Sequence, residues 1–356
     1  YGNAGYSTFY GVTGSTIMAF SDMLGDHQFI LLTNLLLDLK NSDYAVLYSY
    51  LPYRVDWSIE GFHSARFIVL NDGIYDNLFR FRYYGLSLAG SYPIDKFRRV
   101  DFGLSWFNLS RENIDVSSEP SDRITALLTS FDYVHDTILW GYTSPNNGER
   151  YRVDVFGTPK LSDNTLGFVN VTGDFRKYYK FGRDYTFAVR FSGGASLGPD
   201  KQRFLIGGVG QWINRKFEGG YVPLDNAGDF IFLQAAVPLR GYSYNVRIGT
   251  RYALANLELR YPLFGYLVAG PLPLFFQSLT GVAFIDVGSA WSTGKEYKAF
   301  EVNEFGTTRP RDLLIGTGFG ARVYFLIGLV RFDVGWAYNR TGFSAPRYYI
   351  SLGTDF

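Results

Sequence analysis

Residue types able to do covalent chemistry are scarce in this sequence. Cysteine is absent, which excludes disulfides, thiolate nucleophiles and thiolate metal sites. His27, His63 and His135 lie far apart, and none stands in the H-E-x-x-H spacing that holds zinc. No G-x-S-x-G elbow presents a serine. Glu60, Asp101, Asp154 and Asp333 fall in stretches of alternating polarity. They read as strand charges facing water, not as an acid/base pair. The sequence therefore predicts no catalytic residue, no metal and no cofactor. With 34 basic and 33 acidic side chains the net charge is +1, so there is no basic footprint for nucleic acid. What remains is non-covalent chemistry, carried by arginine forks, carboxylates and backbone amides. Its outcome depends on where the chain places them.

The elements that do the placing repeat with a period of two. Leu313, Ile315, Thr317, Phe319, Ala321, Val323 and Phe325 alternate with Leu314, Gly316, Gly318, Gly320, Arg322 and Tyr324. Val330, Phe332, Val334, Trp336 and Tyr338 alternate with Arg331, Asp333, Gly335, Ala337 and Asn339. Such alternation predicts strands with one apolar and one polar face. A soluble sandwich would turn the apolar faces into a dry core. An outer-membrane barrel turns them to lipid and the polar faces to a lumen. The runs at 54–68 and 78–92 exceed the ~5–6 residues of an average soluble strand and suit a tilted membrane crossing. The polar face is charged and rich in glycine, as a wide lumen allows. Aromatic residues gather at strand ends, for example Tyr48, Tyr50 and Tyr53, or Tyr348 and Tyr349, as interfacial girdles do.

The expected fold is all-β: a membrane-spanning antiparallel barrel of about 16 strands. The spans are 3–10, 14–23, 28–38, 43–51, 54–68, 78–92, 98–112, 122–136, 150–160, 165–180, 183–196, 251–262, 276–291, 313–325, 328–338 and 346–356. Short connections at 51–54, 93–97, 181–183 and 326–327 alternate with longer ones at 113–121, 197–250 and 292–312; 136–149 is an exception. Residues 261–285 carry no charge, but Pro262, Pro271 and Pro273 interrupt them. A proline inside a helix costs roughly 3 kcal/mol, so this stretch is expected as strand, proline-rich turn and strand.

The connection 197–250 is too long for a hairpin loop, and loops of that length usually have a function. Around it, residues 202–208 read QRFLIGG, 238–242 PLRGY, 257–263 LELRYPL and 284–291 FIDVGSAW. In this order the segments resemble the BamA-like superfamily of outer-membrane assembly and translocation barrels, the bacterial surface antigen family. The resemblance concerns the barrel alone and is best over 150–356. It matches Gly207 and Gly208 to the family's glycine pair, and Arg240, Gly241 and Tyr242 to a motif on a long loop folded into the lumen. It matches Glu258 to the acid of the next strand, Asp286 and Gly288 to an F-x-D-x-G strand, and the strand of Tyr348, Ile350, Leu352 and Phe356 to the aromatic-ended last strand. In the family the loop arginine pairs with these strand acids. Strand parity agrees, since Glu258 shares its face with Asn256 and Arg260, and Asp286 lies opposite Ile285 and Val287. A guanidinium fork can bind carboxylates two-pronged. Residues 209–238 depart from the family, which has only a few residues there; an extra surface hairpin and an extension of the plug are both open.

The resemblance implies an integral protein of the outer membrane of a Gram-negative bacterium. It implies non-enzymatic help with insertion, assembly or translocation of other proteins. Its partners would be outer-membrane lipids, client outer-membrane or secreted proteins, and periplasmic or lipoprotein accessory subunits, with no nucleic acid. A seam between first and last strands would template incoming strands, because unpaired edge amides invite pairing. Residues 1–356 read as one barrel domain, with the family's N-terminal periplasmic part, commonly POTRA repeats, expected to be absent from the chain. Two other functions fit the sequence. A porin would need an open lumen and no arginine clamp. A membrane anchor would display a soluble domain.

Overall fold

The computed structural model describes all residues except 1, 8–10, 36–38, 72–75, 117, 119, 183, 221, 270–273, 295, 303–305, 307, 326–327, 340–341 and 355. The alternating stretches form strands β1 (Gly2–Ser7), β2 (Gly11–Ser21), β3 (His27–Leu35), β4 (Asp43–Tyr50), β5 (Asp56–Asn71), β6 (Asp76–Pro93), β7 (Arg98–Asn113) and β8 (Asp122–Asp136). They continue as β9 (Pro145–Thr158), β10 (Phe168–Phe181), β11 (Tyr185–Leu197), β12 (Arg251–Ala269), β13 (Leu274–Trp291), β14 (Leu314–Phe325), β15 (Gly328–Asn339) and β16 (Arg347–Leu352). Each pairs antiparallel with the next in chain order. Two-residue pieces, Leu139–Trp140 and Gly342–Phe343, add onto β9 and β15. Among the described residues no ladder joins β1 to β16, so the wall is an unclosed sheet.

The wall is apolar outside and polar inside, the reverse of a soluble sandwich. Phe131, Phe175, Phe191, Ile285, Phe319 and Phe332 are exposed on the outer face. Arg190, Asn256, Glu258, Asp286, Arg331 and Asp333 are buried on the inner one. No helix among the described residues is long and apolar enough to cross a membrane.

Two connections differ from expectation. Strand β12 runs straight through Pro262, at a register shift opposite β13. Proline lacks an N–H to donate, and a bulge is where a sheet tolerates it. Beyond Arg260 and Thr280 the two strands continue as a two-stranded ribbon to the pair Ala269–Leu274; Pro271 and Pro273 lie outside the described residues. The connection 137–144 does not hang free. Its Thr143 hydroxyl bonds that of Thr280 at 2.9 Å, and the Pro145 carbonyl accepts from Arg260 at 3.0 Å. This segment reaches across the short-turn end of the lumen.

Candidate functional site: an arginine clamped in the lumen

Wall register assembles the site. Across β12, β13, β14 and β15, one rung reads Asn256, Asp286, Gly316 and Ala337. The next reads Glu258, Phe284, Gly318 and Gly335, and the third Arg260, Val282, Gly320 and Asp333. Three carboxylates thus face the lumen within three rungs, beside a glycine floor.

Arg240 enters this pocket from the long loop. Its Nε and Nη2 donate to the two oxygens of Asp286 at 2.7 and 2.8 Å, and its own backbone N–H donates to the same carboxylate at 2.9 Å. Nη1 donates to Glu258 at 2.6 Å and lies 4.0 Å from Asp333. The guanidinium carbon stands 3.5 Å from the centroid of the Phe284 ring, a cation–π contact strengthened by desolvation. Asn256 donates to Asp286 and to the Pro238 carbonyl. Arg260 covers the second oxygen of Glu258, and Arg322 binds Asp333 at 2.7 Å. Three arginines therefore balance three acids out of water, the pairing that buried charge requires. Burial works against the Arg240 charge, but Asp286 and then Glu258 outweigh it and raise its pKa still further.

The floor is glycine because the loop backbone touches it. A Cβ at Gly316 would stand 1.7 Å from the Arg240 carbonyl oxygen. Gly241 has φ +97° and presses on the backbone of β15, a conformation and an approach that suit glycine. Its N–H donates to the Tyr349 hydroxyl at 2.7 Å, and that hydroxyl donates to the Tyr242 carbonyl at 2.9 Å. The Tyr242 hydroxyl reaches the Ile315 carbonyl at 3.1 Å. Gly207, at φ +124°, turns the chain after Phe204–Ile206. That segment pairs with Gln234–Ala236 and Arg247–Gly249. The resulting sheet packs Phe204, Ile206 and Leu239 on Tyr252, Leu254, Ala290 and Leu314 of the wall. Gly288 is small enough for Ile206 to lie against it.

Residues 209–238 extend the plug rather than forming a surface hairpin. Helix α1 (Ala227–Phe232) starts at Asn226 with a reciprocal capping box to Asp229. It lays Phe230 on Phe81, ring centroids 4.8 Å apart, and Phe232 on Phe107 and Phe168. Arg203 ties it back through Asp225 and Asp229 at 2.7 and 2.6 Å. A polar recess of about 370 Å³ lies in the lumen, lined by Ser58, Ser91, Asp101, Ser105 and Asp132 among others.

The sequence profile of the Omp85 superfamily domain matches residues 41–356. The chain belongs to the Omp85 superfamily. The structure of BamA from Haemophilus ducreyi lacking POTRA domains 1–3 superposes with a TM-score of 0.62 at 16% identity, covering 99% of this chain and 69% of that one. CdiB from Escherichia coli gives 0.52 at 12%, and CdiB from Acinetobacter baumannii 0.50 at 11%. The chain spans 61% and 58% of those two proteins. At such identities the likeness is one of fold. No curated protein sequence matches the chain.

Placed on this Omp85 barrel, the residues singled out in the sequence divide. Arg240, Gly241, Tyr242, Glu258 and Asp286 meet in one cluster. Gly207, Gly208 and Gly288 support the plug beside it. Tyr348, Ile350 and Leu352 point outward and are exposed. Phe356 does not. Gly353, at φ +74°, ends the strand, and the chain turns into the lumen. There the Phe356 ring is 2% exposed and packs on Tyr178 and Ala188, with the Arg190 and Arg260 guanidinium groups 5.8 and 5.6 Å from its centroid. Tyr349 is likewise not a girdle residue but a buried hydrogen-bonding post. Asp333 does not face water but joins the clamp. The glycines of β14 mark close contact, not empty lumen. Parity puts Tyr349 with Ser351 and Asp333 with Arg331 on the lumen face, but does not say what each meets there. Nothing in the sequence pattern points to the helix cap or to the inward turn at Gly353.

Proposed function

We propose that this Omp85 chain is an integral outer-membrane barrel that assists the insertion, assembly or translocation of other polypeptides without covalent chemistry. Membership of the superfamily supports that role at the level of the family. The observation that carries it to this chain is the unclosed wall. Among the described residues, strands β1 and β16 form no ladder with each other, and strand edges are where an incoming strand finds hydrogen-bond partners. The clients are then unfolded outer-membrane or secreted proteins. Lipid covers the outer apolar face, and the short-turn end faces the periplasm, where accessory subunits would join. Residues 1–356 act as one barrel domain. The Arg240 clamp fixes the plug to β12 and β13, remote from the seam in strand order, and the Tyr349 hydroxyl ties the same loop to β16 at the seam.

A porin is the poorer fit, because it calls for no arginine clamp, whereas here Arg240 holds the long loop to Asp286 and Glu258 of the wall. The two differ in one experiment. Liposomes containing the chain are given an unfolded outer-membrane barrel protein diluted from urea, and folding is followed by its gel mobility. The proposal expects folding at least about tenfold faster than in protein-free liposomes, about 1.4 kcal/mol of barrier, with sugar flux at background. Unaccelerated folding together with rapid sugar flux overturns it in favour of a porin.

A further inference from the structure

The edge of β16 that faces the seam is not vacant. By alternation, Tyr348, Ile350 and Leu352 point their backbone groups to the seam, while Tyr349 and Ser351 face β15. A piece of the plug insertion meets those seam-facing groups. The Ile213 N–H donates to the Ile350 carbonyl at 2.8 Å, and the Ile350 N–H donates to the Asn214 side-chain oxygen at 2.9 Å. The Leu352 N–H reaches the Gln211 carbonyl at 3.4 Å, and the Asn214 amide donates to the Tyr348 carbonyl at 3.0 Å. Trp212 and Ser351 face each other as an antiparallel bridge.

The segment also has the sidedness of a wall strand. Trp212 points inward, 4% exposed, with its ring centroid 4.7 Å from that of Tyr349. Ile213 points outward and is 60% exposed, in line with the outward face of Ile350. Gln211 holds φ +53°, uncommon for a residue with a side chain, and its side chain lies over Gly353, where a Cβ would meet it at 2.5 Å. The Arg331 guanidinium holds the preceding Gly210 carbonyl at 2.8 Å. These residues belong to the stretch 209–238 that departs from the family pattern.

We infer that residues 211–214 are a built-in strand mimic that caps the β16 edge and must leave before a client strand can pair there. The inference rests on the proposed templating at the seam and adds its regulation. The cap is short, satisfies three residues of the edge, and is anchored on the inside by Trp212 and Arg331. A client strand with an aromatic residue facing the lumen and an aliphatic one facing lipid would replace the same contacts and extend them.

Two variants of the full chain in lipid nanodiscs test this. Ile213→Pro with Asn214→Ala removes the donor to Ile350 and both side-chain bonds, at positions that bury little. Hydrogen exchange at the Ile350 and Leu352 amides is expected to rise at least about tenfold, while Tyr349 and Ser351 stay protected, since exchange reads local opening. Trp212→Cys with Ser351→Cys places two thiols across the bridge, in a chain with no other cysteine. Oxidation is expected to join them and slow client folding at least about tenfold, with recovery on reduction. Unchanged exchange in the first variant, or no disulfide in the folded second variant, overturns the cap. A disulfide that forms without slowing client folding also overturns it and leaves seam templating intact. If neither wild type nor any variant accelerates client folding, the proposed function falls, and the exchange contrast still decides the cap.

Discussion

At the scale of single residues, Arg240 carries the largest local stake. It is fully buried and holds two carboxylates that have no water to turn to. Removing one partner of a buried pair costs roughly 3–5 kcal/mol. Arg240→Ala is therefore expected to lower the temperature at which the unboiled protein converts to its unfolded gel mobility, with the β-rich circular dichroism spectrum retained below it. Arg240→Lys recovers little, because an ammonium cannot span Asp286 and Glu258 with a planar fork. Equal thermal transitions for wild type and Arg240→Ala would refute the clamp as a stabilising contact. Phe356 makes a second case. Its ring lies within the lumen, so Phe356→Ala opens a cavity worth roughly 3 kcal/mol and should reduce the folded yield. A ring at the lipid boundary would tolerate Leu there; a ring packed against Tyr178 and beneath two arginines should not. The motif residues of the clamp were picked out in the sequence by the family resemblance, with strand parity in agreement. The third acid, Asp333, was passed over because a single alternating strand says which face a residue takes but not what lies opposite.

At the scale of elements, alternation located all sixteen wall strands, mostly within a few residues of their ends, because one face must meet lipid and the other the lumen over the whole crossing. The main misplacement was the end of β12, set at 262 where the strand continues to Ala269 past a register shift at Pro262. The plug was not legible in the same way. Its strands are three residues long and its helix six, too short for any period to be counted, and their order is set by the wall they pack on. Gly316 tests how tightly plug and wall are fitted. Gly316→Ala puts a methyl group into the Arg240 carbonyl, and the loop must lift because β14 cannot recede within a paired sheet. Limited proteolysis should then cut within 209–226 in the variant and not in wild type, with the wall strands resistant in both. An identical cleavage pattern would mean that the loop is held elsewhere.

At the scale of the whole molecule, the chain is an inside-out β protein: its charges are buried and balanced around a seated loop, and its apolar side chains face outward. Among the described residues the wall is continuous from β1 through β16 and no ladder joins its ends, where a short piece of the plug lies along one edge. The proposed templating asks for a plug held on β12 to β14 and for new pairing at the seam. The direct test is site-specific photo-crosslinking in living cells. A photoreactive phenylalanine analogue replaces Ile350 at the seam or, as control, Phe175 in the middle of the outer wall. Both side chains point outward, so lipid exposure alone does not distinguish them. The account predicts crosslinks from position 350 to newly made outer-membrane or secreted proteins, and none above background from position 175. Equal labelling at both positions, or no client captured at 350 while the barrel is folded in the membrane, would contradict it.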